Sequence, residues 1–204
     1  MSIPVLKLKR GEDRRLRAGH LWIFSNEVDT AATPLTQFEP GAAVQVHSDK
    51  DQFLGFAYVN PRTLIAARIV GRDADYPLDA SLLVHRLKVA LSLRERLYRE
   101  PYYRLVFGES DGLPGLVVDR YGGVFVAQSG TAGIDRLRGD VEAALRKVAN
   151  AGAIVWKTDD PALRQRLGTP VHGTATAGVA PATRCMSGRC GVCAEVAMIH
   201  GGST

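Results

Sequence analysis

Cysteine is nearly absent: of 204 residues only Cys185, Cys190 and Cys193 are cysteine, all within the last twenty. An odd count so placed argues against a disulfide framework, and the fold must be held by its apolar cores. No apolar run nears the roughly 18 residues that suggest a membrane span. The opening Met-Ser-Ile-Pro-Val-Leu-Lys-Leu-Lys-Arg alternates apolar and basic residues where an export leader would be continuous. A cytoplasmic chain without membrane contact is the expectation. Extreme charge is missing too, since 26 Lys+Arg against 21 Asp+Glu leave only +5. With 46% hydrophobic and 23% charged residues the composition is globular, which excludes wholesale disorder and collagen. The length suits one sizeable domain or two small ones.

Because the net charge is mild, its placement matters more. Six basic residues, Lys7, Lys9, Arg10, Arg14, Arg15 and Arg17, stand against Glu12 and Asp13, with His20 close behind. Residues 4–9 alternate with the period of a half-buried strand, and 11–19 reads as a short basic helix. His20-Leu-Trp-Ile-Phe24 is too apolar for a loop. The runs 43–47, 53–59 and 63–70 read as successive antiparallel strands, with a polar turn at Ser48-Asp-Lys-Asp51. Short strands with one small helix predict a compact β-barrel over residues 1–75. Cations beside Trp22 and Phe24 are what an RNA binder needs, phosphate contacts plus flat side chains for unpaired bases. The bulk of that apolar run nevertheless places both aromatics in the core.

Gly71-Arg-Asp-Ala-Asp-Tyr-Pro77 is a polar break that opens a second, α+β domain, residues 76–169. Asp79 is placed to cap a helix whose stripe is Leu83, Leu87, Ala90, Leu91 and Leu97, ending before Pro101. A second basic group, Arg86, Lys88, Arg94, Arg96, Arg99 and Arg104, reads as a solvated face. Runs at 103–107, 116–119 and 124–128, separated by turn formers, predict a meander. One helix follows from about Gly133 to Ala149 with Ile134, Leu137, Val141, Leu145 and Val148 on its apolar face. A strand at 153–156 and a proline-initiated helix from Asp160 complete the domain. Glu109, Asp111 and Asp119 are read as turn and strand-end residues and not as an acid/base pair.

Five stretches carry a resemblance. Leu8-Lys-Arg-Gly-Glu-Asp-Arg-Arg-Leu-Arg-Ala-Gly-His-Leu-Trp-Ile-Phe-Ser25, Gly55-Phe-Ala-Tyr-Val-Asn-Pro61 and Ala67-Arg-Ile-Val70 resemble the N-terminal PUA domain of the bacterial large-subunit ribosomal RNA cytosine-C5 methyltransferases. Leu105-Val-Phe-Gly-Glu-Ser-Asp-Gly-Leu-Pro-Gly-Leu-Val-Val-Asp-Arg-Tyr-Gly-Gly123 and Ile154-Val-Trp-Lys-Thr-Asp159 are similar to that family's linking domain. The resemblance spans roughly residues 5 to 168 and is most specific at Gly108-Glu-Ser-Asp-Gly-Leu-Pro-Gly115. It implies a barrel that helps hold ribosomal RNA and a linking domain that packs on a Rossmann-like catalytic domain, which binds S-adenosylmethionine. The RNA contacts it suggests are Lys9, Arg10, Arg14, Arg15, Arg17 and His20, with a homodimer compatible.

The resemblance further implies an Asp-Gln-Arg segment, a Gly-rich cofactor turn and a later nucleophilic cysteine beyond residue 168, and none of these is found. A doubly wound cofactor domain needs on the order of 100 residues or more, and only 35 follow Thr169. Those 35 hold six glycines and three charged residues without apolar periodicity, so residues 170–204 are expected to be a poorly ordered, divergent tail such as a frame change or early stop would leave. No complete Rossmann-like domain, catalytic residue or cofactor site is therefore assigned. The expectation is an RNA-binding, non-catalytic portion of a methyltransferase. One alternative is a component active only with a separate catalytic chain. Another is a metal or iron-sulfur protein, because Cys185, Cys190 and Cys193 have ferredoxin-like spacing. A cluster needs a fourth cysteine, and zinc would require His172 or His200, so the spacing is read as accidental and no metal site is assigned.

Overall fold

The computed structural model describes residues 3–157. The helix expected from Asp160, the end of the second domain, the tail 170–204 and the cysteines lie outside the described residues. Five strands, β1 (Val5–Lys7), β2 (Trp22–Phe24), β3 (Ala42–His47), β4 (Phe53–Val59) and β5 (Ile65–Gly71), form one sheet in the order β1-β3-β4-β5-β2. β1 runs parallel to β3, and the other pairings are antiparallel. The period of two works as expected, with Leu6 and Leu8 fully buried while Val5 is exposed. The sheet curls, and its edges meet at a single bridge between Leu8 and Val28, so the expected barrel is only half closed. Its interior is filled by Leu6, Leu8, Ile23, Val44, Val46 and Ile69, with Leu16 of the short helix α1 (Arg14–Arg17) as a plug.

The following segment is α+β. Helix α2 (Ala80–Leu97) starts where Asp79 accepts the backbone N–H groups of Ser81 and Leu82. Leu83, Leu87, Ala90 and Leu91 enter the core, but Leu97 is 67% exposed. At helical spacing the stripe continues through Arg94 and Leu97, yet the core ends near Arg94, so the last turn overruns it. The meander is formed by β6 (Tyr102–Phe107), β7 (Leu116–Tyr121) and β8 (Val124–Ser129). The helix expected as one piece is two, α3 (Ala132–Arg136) and α4 (Arg138–Ala149), which return the chain to β9 (Ala153–Lys157), parallel to β8. Thr131 caps α3 through the Ile134 N–H, and the backbone turns at Leu137 (φ −89°, ψ 7°) before α4 begins. Ile134, Val141 and Leu145 are buried on the shared face, as their spacing predicts.

The two sheets touch through α3. Tyr58 and Val70 belong to the first sheet by strand but to the second core by packing. The Tyr58 ring lies on the bare backbone of Gly133, where a Cβ would collide with it. Gly41, in a left-handed conformation (φ +81°), likewise abuts the Ala132 carbonyl. Arg136 reaches across to Glu39 at 3.0 Å. Burial pushes the Tyr58 phenol well above its usual range.

Gly133→Ala is therefore expected to lower stability by about 2 kcal/mol through overpacking. Gly139→Ala in α4, where a Cβ meets nothing, should be neutral or stabilising by up to roughly 1 kcal/mol. Urea titration of the two variants compares them. Asp79→Ala should cost about 1 kcal/mol. The Ser81 hydroxyl, then the Leu82 N–H, hold the Asp79 carboxyl below its ordinary value. Its contribution is thus present above the ordinary carboxylate range and lost as pH falls through the lowered folded value, which denaturation midpoints between neutral and acid pH will register.

Candidate nucleic-acid interface

The basic cluster divides once the helix is folded. Leu16 points inward, which fixes the directions of its neighbours on α1. Arg15 is committed to the interior edge, pairing with the buried Glu27 and lying 5.0 Å from the Phe24 ring centroid. Glu27 also accepts the Phe24 N–H at 2.8 Å, so this pair closes the turn after β2. Arg17 donates to Asp13 and Gln52, each at 2.6 Å. The Arg17 hydrogen bond, followed by its charge, holds the half-buried Asp13 carboxyl below the usual range. Lys9 Nζ donates to the Asn26 carbonyl at 2.8 Å. Arg10, Arg14 and the His20 ring are exposed and make no side-chain hydrogen bond or ion pair among the described residues, although the Arg14 charge also favours the ionised Asp13 carboxyl. Of the six candidates, these three are free to meet a ligand.

The second basic group is the expected solvated face only in part, since Arg86 and Arg94 are drawn inward. Arg94, with only 13% of its side chain exposed, grips Asp111 with both Nη atoms at 2.6 and 2.7 Å. Asp111 also accepts the Phe107 N–H. Arg86 packs against Gly112. Arg104 is paired with Asp119 across two strands, so Asp119 serves an ion pair within β7 and not a strand-end turn. Lys88, Arg96 and Arg99 remain exposed. The three carboxylates of this region thus face cations and are not set against one another for acid/base chemistry.

Glu109, in the most specific motif of the chain, reaches out of its own segment. Its Oε1 accepts the Trp22 indole N–H at 2.8 Å and lies 3.9 Å from Arg68 Nε. Trp22 is not the core aromatic its sequence neighbourhood suggests: it is 41% exposed on the edge strand, and Phe24 is half-buried. Ile23 takes the core position between them, which forces both onto the opposite face. That alternation was the signal available in the sequence. Arg72, not among the expected contacts, stands beside this edge and donates to the His20 carbonyl at 2.8 Å. A cleft of about 240 Å³ lined by Phe107, Glu109, Ser110, Val117 and Gln128 opens next to the Glu109 turn.

Among the described residues no group of His, Cys, Asp and Glu could hold a metal ion. No described helix is long and apolar enough to cross a membrane.

With this geometry in place, the family described as "PUA-like domain" matches residues 6–72. Ribosomal RNA large subunit methyltransferase I of Shewanella denitrificans is 33% identical over 172 residues, 82% of this chain and 43% of that protein. The protein of the same name from Pseudoalteromonas translucida is 30% identical over 203 residues, 97% of this chain and 50% of its own length. The chain is homologous to these methyltransferases. It spans half or less of each, and the second match reaches into residues 170–204, which the sequence reading expects to be divergent. A SAM-dependent methyltransferase from Streptococcus mutans shares the fold at a TM-score of 0.63 and 19% identity, over 76% of this chain and 40% of that one.

Among the described residues, a methyl donor of the S-adenosylmethionine type does not fit the one place where the second sheet imitates a cofactor turn. β8, Gly130 and the N-terminus of α3, followed by parallel β9, have the order of a nucleotide-binding unit. Its helix N-terminus is filled, however, because the Thr131 hydroxyl takes the Ile134 N–H and Tyr58 covers Gly133.

Losing one partner of the buried Arg94–Asp111 pair leaves an uncompensated charge. Asp111→Ala is expected to cost roughly 3 kcal/mol or more, and the double variant Arg94→Met/Asp111→Leu less than that. A denaturant-based double-mutant cycle measures both.

Proposed function

We propose that the described residues are the RNA-holding part of a ribosomal RNA (cytosine-C5) methyltransferase, and that methyl transfer from S-adenosylmethionine takes place outside them. The observation that carries the reading is the set of basic side chains left without a hydrogen bond or ion pair beside the curled sheet. Arg14 projects from a helix pinned by Leu16 and by the Arg15–Glu27 pair, with Arg10 in the turn before it and His20 just after it, while most other arginines nearby are neutralised internally. Free cations on a rigid support meet phosphates without first breaking an ion pair. The names of the homologues, the PUA-like match and the filled N-terminus of α3 support the division of labour. The choice of cytosine C5 comes from the sequence resemblance alone. A cytoplasmic setting goes with this reading.

Binding of the chain to a fragment of large-subunit ribosomal RNA should weaken steeply with salt. Arg10→Ala/Arg14→Ala should lower the log–log salt slope by roughly 1 to 2, as expected for two lost phosphate contacts. Fluorescence anisotropy across a salt series checks this, and an unchanged slope and affinity would remove these residues from the interface. Transfer of a labelled methyl group to ribosomal RNA by residues 3–157 alone would refute the second half of the reading.

A further inference from the structure

Trp22 is the largest side chain on the exposed edge of the curled sheet, and 41% of it is open to solvent. The register places Ala43, Tyr58, Arg68 and Trp22 in one row across β3, β4, β5 and β2. Along that row exposure rises from Tyr58, sealed under α3, to Trp22 at the rim. The indole is nonetheless fixed. Its only polar atom is bound to Glu109, and Arg68 beside the same carboxylate helps to hold that acceptor in place. The result is a flat aromatic surface, oriented by its edge and open to solvent, with His20 close along the chain and Arg72 hydrogen-bonded to the His20 carbonyl.

On the proposal above that this part of the chain holds ribosomal RNA, we infer that Trp22 is a stacking platform for an unpaired base and that Glu109 is the residue that positions it. Aromatic surfaces of this kind bind bases through their π-faces and tolerate any of the four. Arg10 and Arg14 supply phosphate attraction, which orients the strand but carries no base contact. Trp22 supplies the contact that only an unpaired nucleotide can make, so the site favours loops and bulges over continuous duplex. Glu109 comes from the other sheet's segment, so base contact depends on both halves of the molecule.

The chain contains its own reporter. It has two tryptophans, and the second, Trp156, is buried, donates to Glu142 and lies against Arg138. Titration of the full chain with a single-stranded RNA hexamer should quench its tryptophan fluorescence saturably, and Trp22→Phe should abolish that quenching. Trp22→Ala should weaken hexamer binding by about 10-fold or more while leaving the salt slope unchanged, the opposite signature to Arg10→Ala/Arg14→Ala. Glu109→Gln keeps an acceptor for the indole and should retain quenching, whereas Glu109→Ala should reduce it, with circular dichroism confirming that both are folded. RNA binding without quenching, quenching that survives Trp22→Phe, or unchanged affinity in Trp22→Ala would each overturn the stacking site while leaving the RNA-holding function intact. Absence of any salt-dependent RNA binding by the wild-type chain would overturn both.

Discussion

The contact on which the rest depends is the seating of the Tyr58 ring on the bare backbone of Gly133. A five-stranded sheet with one apolar face makes an adequate small core by itself, and so does a four-stranded sheet backed by two helices. What makes the pair one object is that β4 sends alternate residues to different cores: Ala57 and Val59 inward, Tyr58 outward into the other core. This explains why Leu54 to Asn60 is buried without interruption, where a sheet with one solvated face would alternate. An aromatic ring can lie so close only where the facing helix lacks a side chain, and α3 provides that gap at Gly133.

Much of this order is visible in the sequence because it rests on local rules. Asp79 looks like a cap and is one; the apolar runs at 53–59 and 124–128 are strands; turn formers mark the meander. The readings that failed share a cause, in that the deciding partner lies far along the chain. Arg94 occupies a stripe position at which periodicity expects an apolar residue, and it is acceptable there only because Asp111, 17 residues away, arrives in bidentate geometry. The division of 132–149 into two helices follows from Thr131 capping and from the seam against the first sheet, neither of which the apolar pattern encodes. Trp22 is the local exception: the bulk of its run favours the core, but Ile23 between two aromatics permits only one face to be inside.

The candidate site was legible as a region and not as a set of residues. Counting cations from Lys9 to His20 finds the surface, but counting treats every arginine as available. Folding spends Arg15 on Glu27 and Arg17 on Asp13, and it places Arg68 and Arg72, remote in sequence, beside the same edge. Net charge consequently says little about this interface. Affinity for phosphate follows the cations left over once internal pairing is complete, and those are identified only by seeing which carboxylates the fold delivers to which arginines.

That accounting also explains the use of the Gly108–Gly115 turn. Its two acidic side chains face opposite ways: Asp111 anchors the turn to α2 through Arg94, and Glu109 extends to Arg68 and Trp22 on the first sheet. A turn tied firmly at one end can hold a distant side chain firmly at the other, because neither carboxylate is left to find its partner from solution. The Tyr58–Gly133 contact then sets the separation of the sheets across which Glu109 must reach, since Tyr58 and Trp22 lie in the same cross-strand row as Arg68. Free cations can attract phosphate from any orientation, whereas a stacked base demands a plane, and here the plane is defined by a carboxylate that only the assembled pair of sheets puts in place.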